Sequence, residues 1–364
     1  MENGVPQGGQ GAQKSEKASV LKLVMSWVGG VTAVIGLIGS LSGGVHWLAT
    51  HRTQRAQLAS QMAVAATQMK QQEYEASVHS YGNILKSDPL YAPALEGQLD
   101  ATMLWVDNFS VLGKEHDEDR TAQAAGVLLD EIMPILDAGL ARSTGSRAAD
   151  VQAHLGWAHW LNWHIAQREI SHLAEQNLRA AVQLDKTNPY ANSMLGNWML
   201  QNGGAFPEAI EHFNTAVASG KARSLVREMQ VGGLLDDQVP GARKELVKSV
   251  NDMRKNGEPL DNDEKYRIRS FCFSTLNMEQ DNLAESLSAV PEDDAWKTYL
   301  WLGDNRDDNT DPLARDFVYA TLLDVSGKRA EALQKFRLLQ QNPRSKQFSF
   351  SDRIDQAVER LSKG

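Results

Sequence analysis

The chain of 364 residues carries a formal net charge of -9, with 42% apolar and 23% charged side chains. That acidic balance, without clustered Lys and Arg, excludes a nucleic-acid surface, since phosphate binding draws on concentrated positive charge. The lone cysteine, Cys272, excludes an intrachain disulfide and any Cys-based zinc site.

Residues 1–20 are rich in Gly, Gln and Ser, among them Gly8, Gly9, Gln10, Gly11 and Gln13, and hold too few apolar groups to offset the entropy of ordering. They read as a disordered tail. Next comes a run from Leu23 to Ala49 free of Asp, Glu, Lys and Arg. As a helix it reaches roughly 40 Å, more than the roughly 30 Å of a bilayer core requires. A transmembrane helix is therefore predicted within residues 21–50, in contact with lipid. The run is too long for a signal peptide, and its end, Trp47-Leu48-Ala49-Thr50-His51, lacks the small-residue cleavage pattern. Lys14, Lys17 and Lys22 precede it while Arg52 and Arg55 follow, a bias that leaves the tail in the cytoplasm and exports the body of a single-pass cell-membrane protein. Gly36 with Ser40 and Gly39 with Gly43 have the small-xxx-small spacing of associating membrane helices. Homodimerisation and the general abundance of glycine in such helices account for that spacing equally well.

From residue 51 onward the apolar residues recur at three and four, the helical period, so the body is predicted all-α. Helix pairs recur with similar internal offsets. Leu58 to Tyr91 gives Tyr74, Ser77, Tyr81, Ile84, Leu85 and Asp88-Pro89, and Ala174, Leu178, Ala181, Val182, Leu184 and Asp185 follow in a further copy. Tyr190 to Lys221 gives Leu195-Gly196, Phe206, Ala209, Phe213, Ala216 and Val217, and Pro312 to Arg344 gives Gly327, Ala332, Phe336, Leu339 and Asn342-Pro343. Small residues at Ala76 or Ser77, Ala209 and Ala332 suit a close helix crossing, Tyr81, Phe213 and Phe336 fill the gap between pairs, and Pro89 and Pro343 end second helices. Ala92 to Phe109 with Thr121 to Arg142, Ser224 to Asp236 with Gly241 to Lys255, and Asn262 to Leu276 with Asp281 to Val290 read as less regular pairs. Within residues 348–364 a capping helix is predicted, with Ser351 as N-cap and Ile354, Val358 and Leu361 on its apolar face.

This pattern resembles the tetratricopeptide repeat (TPR), a helix-turn-helix unit of about 34 residues. The resemblance implies a TPR-like α-solenoid, a right-handed superhelix, over residues 51–347. It also implies a protein or peptide partner in the groove lined by first helices. On the copy that begins at Pro189, the groove positions of the family fall on Tyr190, Ser193, Asn197, Leu200 and Gln201; on the preceding copy they fall on His159, Trp163 and Gln167.

Evidence for chemistry is thin. His154, His159, His164 and His172 share one stretch, but steps of five rotate a helix by about 500°, so neighbours point about 140° apart and share no ion. Asp304 to Asp311 lacks the glycine and closing glutamate of a calcium loop, and Asp311-Pro312 reads as a helix start. Glu292-Asp293-Asp294 has the same helix-starting character. Neither a nucleophile elbow, a phosphate loop nor a dinucleotide fingerprint occurs. No catalytic residue, metal or cofactor is expected. Trp157, Trp160 and Trp163 beside His159 and His164 form the richest constellation, divided between groove and core. The sequence thus favours a membrane-anchored scaffold or adaptor. Two rival readings are an enzyme subunit with an aromatic and histidine ligand site, and a spacer that dimerises through its glycine-rich span.

Overall fold

A computed structural model of the protein describes residues 55–112, 118–164, 172–220, 223–236, 239–275, 279–303 and 311–363. The predicted membrane span, including Gly36, Gly39, Ser40 and Gly43, lies outside them, as does Gln167. Among the described residues no helix is long and apolar enough to cross a membrane, and no strand occurs.

The helices are α1 (55–70), α2 (Tyr74–Ser87), α3 (Ala92–Leu112), α4 (Glu118–Leu140), α5 (Gly145–His164), α6 (His172–Leu184), α7 (Pro189–Gln201) and α8 (Phe206–Ala218). They continue as α9 (Arg223–Leu234), α10 (Ala242–Asn256), α11 (Asn262–Phe273), α12 (Gln280–Ser288), α13 (Glu292–Leu302), α14 (Pro312–Val325), α15 (Arg329–Gln341) and α16 (Ser351–Ser362). The chain divides into two compact units between Ala101 and Thr102, inside α3.

In the first unit α1 and α2 form a helix hairpin. Ser77, fully buried, donates from Oγ to the Ala65 carbonyl at 2.9 Å, so the small residue at the crossing is Ser77 and not its neighbour Ala76. Tyr81 fills the space over Gly97, where an added Cβ would stand 2.4 Å from the ring.

In the second unit the pairs α5/α6, α7/α8 and α14/α15 pack most extensively, as their regular pattern predicts. Gly156 and Gly196 mark the crossings of the first two. A Cβ at Gly156 would lie 2.8 Å from Leu178 Cγ, and one at Gly196 would lie 3.0 Å from the Ala209 carbonyl oxygen and 3.2 Å from the Phe213 ring. Successive pairs stack through their first helices, α5 on α7 and α7 on α9. Gly232 and Gly233 sit in the last turn of α9; Gly233 lets α9 approach α7, with Leu200 Cδ1 3.1 Å from where its Cβ would be.

The stacking line then changes. From α10 onward the contacts run α10 to α12 and α13, and α12 to α14, so the pairing expected between residues 224 and 290 is only partly kept. Buried polar groups hold this region. Arg227 of α9 donates Nε to Glu258 Oε2 at 2.9 Å and Nη1 to Gln230, while Ser249 of α10 closes the group. Glu258 reaches Arg227 because Gly257, at φ 68°, ends α10 in the left-handed conformation that glycine adopts without a Cβ penalty.

Glu292, Asp293 and Asp294 occupy the first turn of α13, where carboxylates complement the helix dipole. Asp311 caps α14 as expected, accepting from Leu313 N at 2.9 Å, with Pro312 as first residue. At the far end Phe317, Phe336 and Phe350 share a core, and Arg329 of α15 donates to the terminal carbonyls of Arg360 and Leu361, closing α16. The N-cap of α16 is Phe350, one residue before the predicted Ser351, and carries no side-chain cap.

Candidate partner-binding surface

Helix α5 carries the aromatic constellation. Trp157 and Trp160 stack at 4.4 Å between ring centroids, and Trp160 stacks on His164 at 4.5 Å. Residues three and four apart share a helix face, so this ladder follows directly from the spacing. Trp157 and Trp160 are buried at 2% and 8% exposure. Beyond them Trp163 is half-exposed, its ring tilted against that of His164, and His159 is half-exposed as well. His164 is exposed apart from its contacts with Trp160 and Trp163, and its partial desolvation lowers its pKa below the ordinary histidine value.

The four histidines do not converge. His154 is buried, His159 half-exposed, and His164 and His172 exposed. Among the described residues no group of three or more His, Cys, Asp or Glu could hold a metal ion. Cys272 is buried, and burial pushes its thiol far above the ordinary range, which removes it as a nucleophile.

Helix α7 is set by its start. Asn188 accepts from Ala191 N at 2.9 Å and donates from Nδ2 to Asp150 Oδ1 at 2.6 Å, so the cap of α7 also ties it to α5. Asn192 donates to the Lys186 and Asn188 carbonyls, and its Oδ1 lies 2.8 Å from His212 Nδ1. Ser193 is fully buried, with its hydroxyl 3.3 Å from the Tyr190 carbonyl. Asn197, at 6% exposure, donates to the Met229 carbonyl of α9 at 2.8 Å. Tyr190 is half-exposed and tilts against the ring of His154 at 4.8 Å; Gln201 is exposed.

Of the predicted groove residues, His159, Trp163, Tyr190 and Gln201 thus reach the surface, whereas Ser193 and Asn197 are engaged inside the protein. Tyr190 stands against His154, not against His159 or Trp163. The equivalence of Gly156 with Gly196 sets the register between the two copies, aligning Asp150 with Tyr190, Ala153 with Ser193, Trp157 with Asn197, Trp160 with Leu200 and Leu161 with Gln201. The signal for that register was present in the sequence: Leu155-Gly156 repeats the dipeptide Leu195-Gly196.

A concavity of about 660 Å³ lies between α12, α14 and α16, lined by Asp281, Thr321, Asp324, Glu359, Arg360 and others. Its cations are already engaged, Arg360 by Asp324 and Lys363 by Glu359. No family model matches the chain, and no curated protein matches it.

Proposed function

We propose that this protein is a membrane-anchored, tetratricopeptide-like scaffold that recruits another polypeptide and carries out no covalent step. The observation that carries the reading is the equivalent crossing of α5/α6 and α7/α8 over Gly156 and Gly196, with Trp163 and Gln201 displayed near the ends of successive first helices. Rigid helix pairs of this kind bind through side chains exposed along successive copies. The uncharged run from Leu23 to Ala49 supplies the anchor, and the lysines before it place the body outside the cytoplasm. The enzyme reading has less support, because the Trp157 and Trp160 faces are spent on each other and on His164.

Two measurements test this reading on the full chain. Alkaline extraction is expected to leave the protein in the membrane fraction and to release a form lacking residues 21–50. Purification from native membranes is expected to bring down a stoichiometric partner that is lost in a Trp163→Ala, Gln201→Ala double variant. An unchanged partner set in that variant would remove the proposed surface, and full release of the wild type by alkali would remove the anchor.

A further inference from the structure

His154 lies at 1% exposure in the second unit, with an oxygen close to each ring nitrogen. Nδ1 is 2.6 Å from the Asp150 carbonyl oxygen, and Nε2 is 3.1 Å from Asp107 Oδ1, which comes from the part of α3 that belongs to this unit. Neither acceptor can donate, because a carbonyl has no hydrogen and an ionised carboxylate has none either. A neutral imidazole carries one N–H and one lone pair, so either tautomer would direct a lone pair at an oxygen within about hydrogen-bond distance. The Nε2 and Oδ1 atoms are also shut off from solvent and approach without the alignment of a hydrogen bond, so the contact is one between charges. Only the doubly protonated ring turns no lone pair toward either oxygen, and it meets Asp107 as an opposite charge.

We propose that His154 is a buried imidazolium that locks the Asp107 end of α3 onto α5, and that loss of its proton at alkaline pH loosens that junction. The groups around the ring agree in sign. Asp107 of α3 and Asp150 of α5 are the charged groups acting on it, Tyr190 of α7 is the titratable group beside it, and among the described residues α4 and α6 bring no charged group to bear. Burial alone would lower the pKa of the ring. The Asp107 charge, followed by the Asp150 carbonyl and charge, outweighs burial and holds it above the ordinary value. A folded-state pKa raised in this way gives stability that is fully present below the unfolded histidine value of about 6.5. It is lost as pH rises through the higher folded value.

The test uses the full chain labelled with nitrogen-15 histidine. At about pH 7.5, one unit above the ordinary value of about 6.5, one histidine is expected to show two protonated ring nitrogens, and this signal disappears in His154→Gln. Asp107→Asn keeps the shape of the side chain while removing its charge. It is expected to lower the titration midpoint of His154 by about 1–3 units, leaving a neutral ring at the same pH. Amide hydrogen exchange over residues 102–109 is expected to accelerate in the wild type as pH passes the midpoint, beyond the intrinsic rise with pH, and to be fast throughout in Asp107→Asn. A neutral His154 in the wild type at about pH 7.5, including one paired with a protonated Asp107, would overturn the proposal. So would a midpoint unmoved by Asp107→Asn.

Discussion

In α5 to α8 the helices of a pair meet backbone to side chain over glycine, at Gly156 and Gly196, and amide side chains tie the helices together: Asn188 to Asp150 of α5, Asn192 to His212 of α8 and Asn197 to the Met229 carbonyl of α9. From α9 to α13 the contacts pass through arginine. Arg227 meets Glu258, Arg254 meets Asp294 at 3.1 Å, and Arg269 donates to the Tyr299 hydroxyl at 3.0 Å. The stacking line shifts in this second region. Where the helix pair repeats faithfully, small residues bring the backbones together and amides complete the hydrogen bonding. Where it does not, arginine side chains link helices that are not partners in a regular pair.

The two regions should therefore fail differently. The largest effect is expected for Arg227→Ala, which takes the guanidinium away from Glu258 at 11% side-chain exposure while Asn256 still donates to it; removing one partner of a buried pair costs about 3–5 kcal/mol. Urea unfolding of the purified protein checks this, and replacing Arg227 and Glu258 together by Met and Leu should recover most of the loss. Next, Gly156→Ala inserts a methyl group 2.8 Å from Leu178 Cγ and 3.0 Å from its backbone nitrogen, and should cost about 1–3 kcal/mol through overpacking in the same assay. A loss as large as that of Arg227→Ala would blur the distinction between the regions.

The fold was legible where side-chain size carried the information. Phe213, Phe336, Ala209 and Ala332 are buried at the places their spacing predicts, and Asp311-Pro312 starts a helix as its chemistry demands. The helix α13 was foreshadowed only by Glu292-Asp293-Asp294, since its interior, with Trp296, Tyr299 and Trp301, mixes buried and half-exposed aromatics. The changed stacking between α9 and α14 left no such trace, because it depends on which distant partner each arginine meets, and spacing along one helix is silent on that. The candidate site suffered from the same gap. Ser193 and Asn197 have the polarity of surface residues, but the burial of Ser193, whose hydroxyl turns back to the Tyr190 carbonyl of its own helix, and the bond of Asn197 across to α9 are visible only once the helices are stacked.

Two smaller changes sharpen the contrast. Asn188→Ala removes both the cap of α7 and the tie to Asp150, and should cost about 0.5–2 kcal/mol, seen as a lowered thermal midpoint. Gly232→Ala should act the other way. Its Cβ would meet nothing nearer than Asn197 Nδ2 at 3.9 Å, so the gain in helix propensity, about 0.5–1 kcal/mol, should appear as a raised midpoint. Destabilisation there would mean that α9 sits closer to α7 than the geometry allows.

The proposal that one edge of the regular pairs meets a polypeptide is tested most directly by site-specific photo-crosslinking of the full chain in its native membrane. A photoreactive residue at Trp163 or Gln201 is predicted to give one discrete adduct with another protein, while the same probe at the exposed Asn214 of α8 gives none. Adducts of equal yield at all three positions, or at Asn214 alone, would contradict the account.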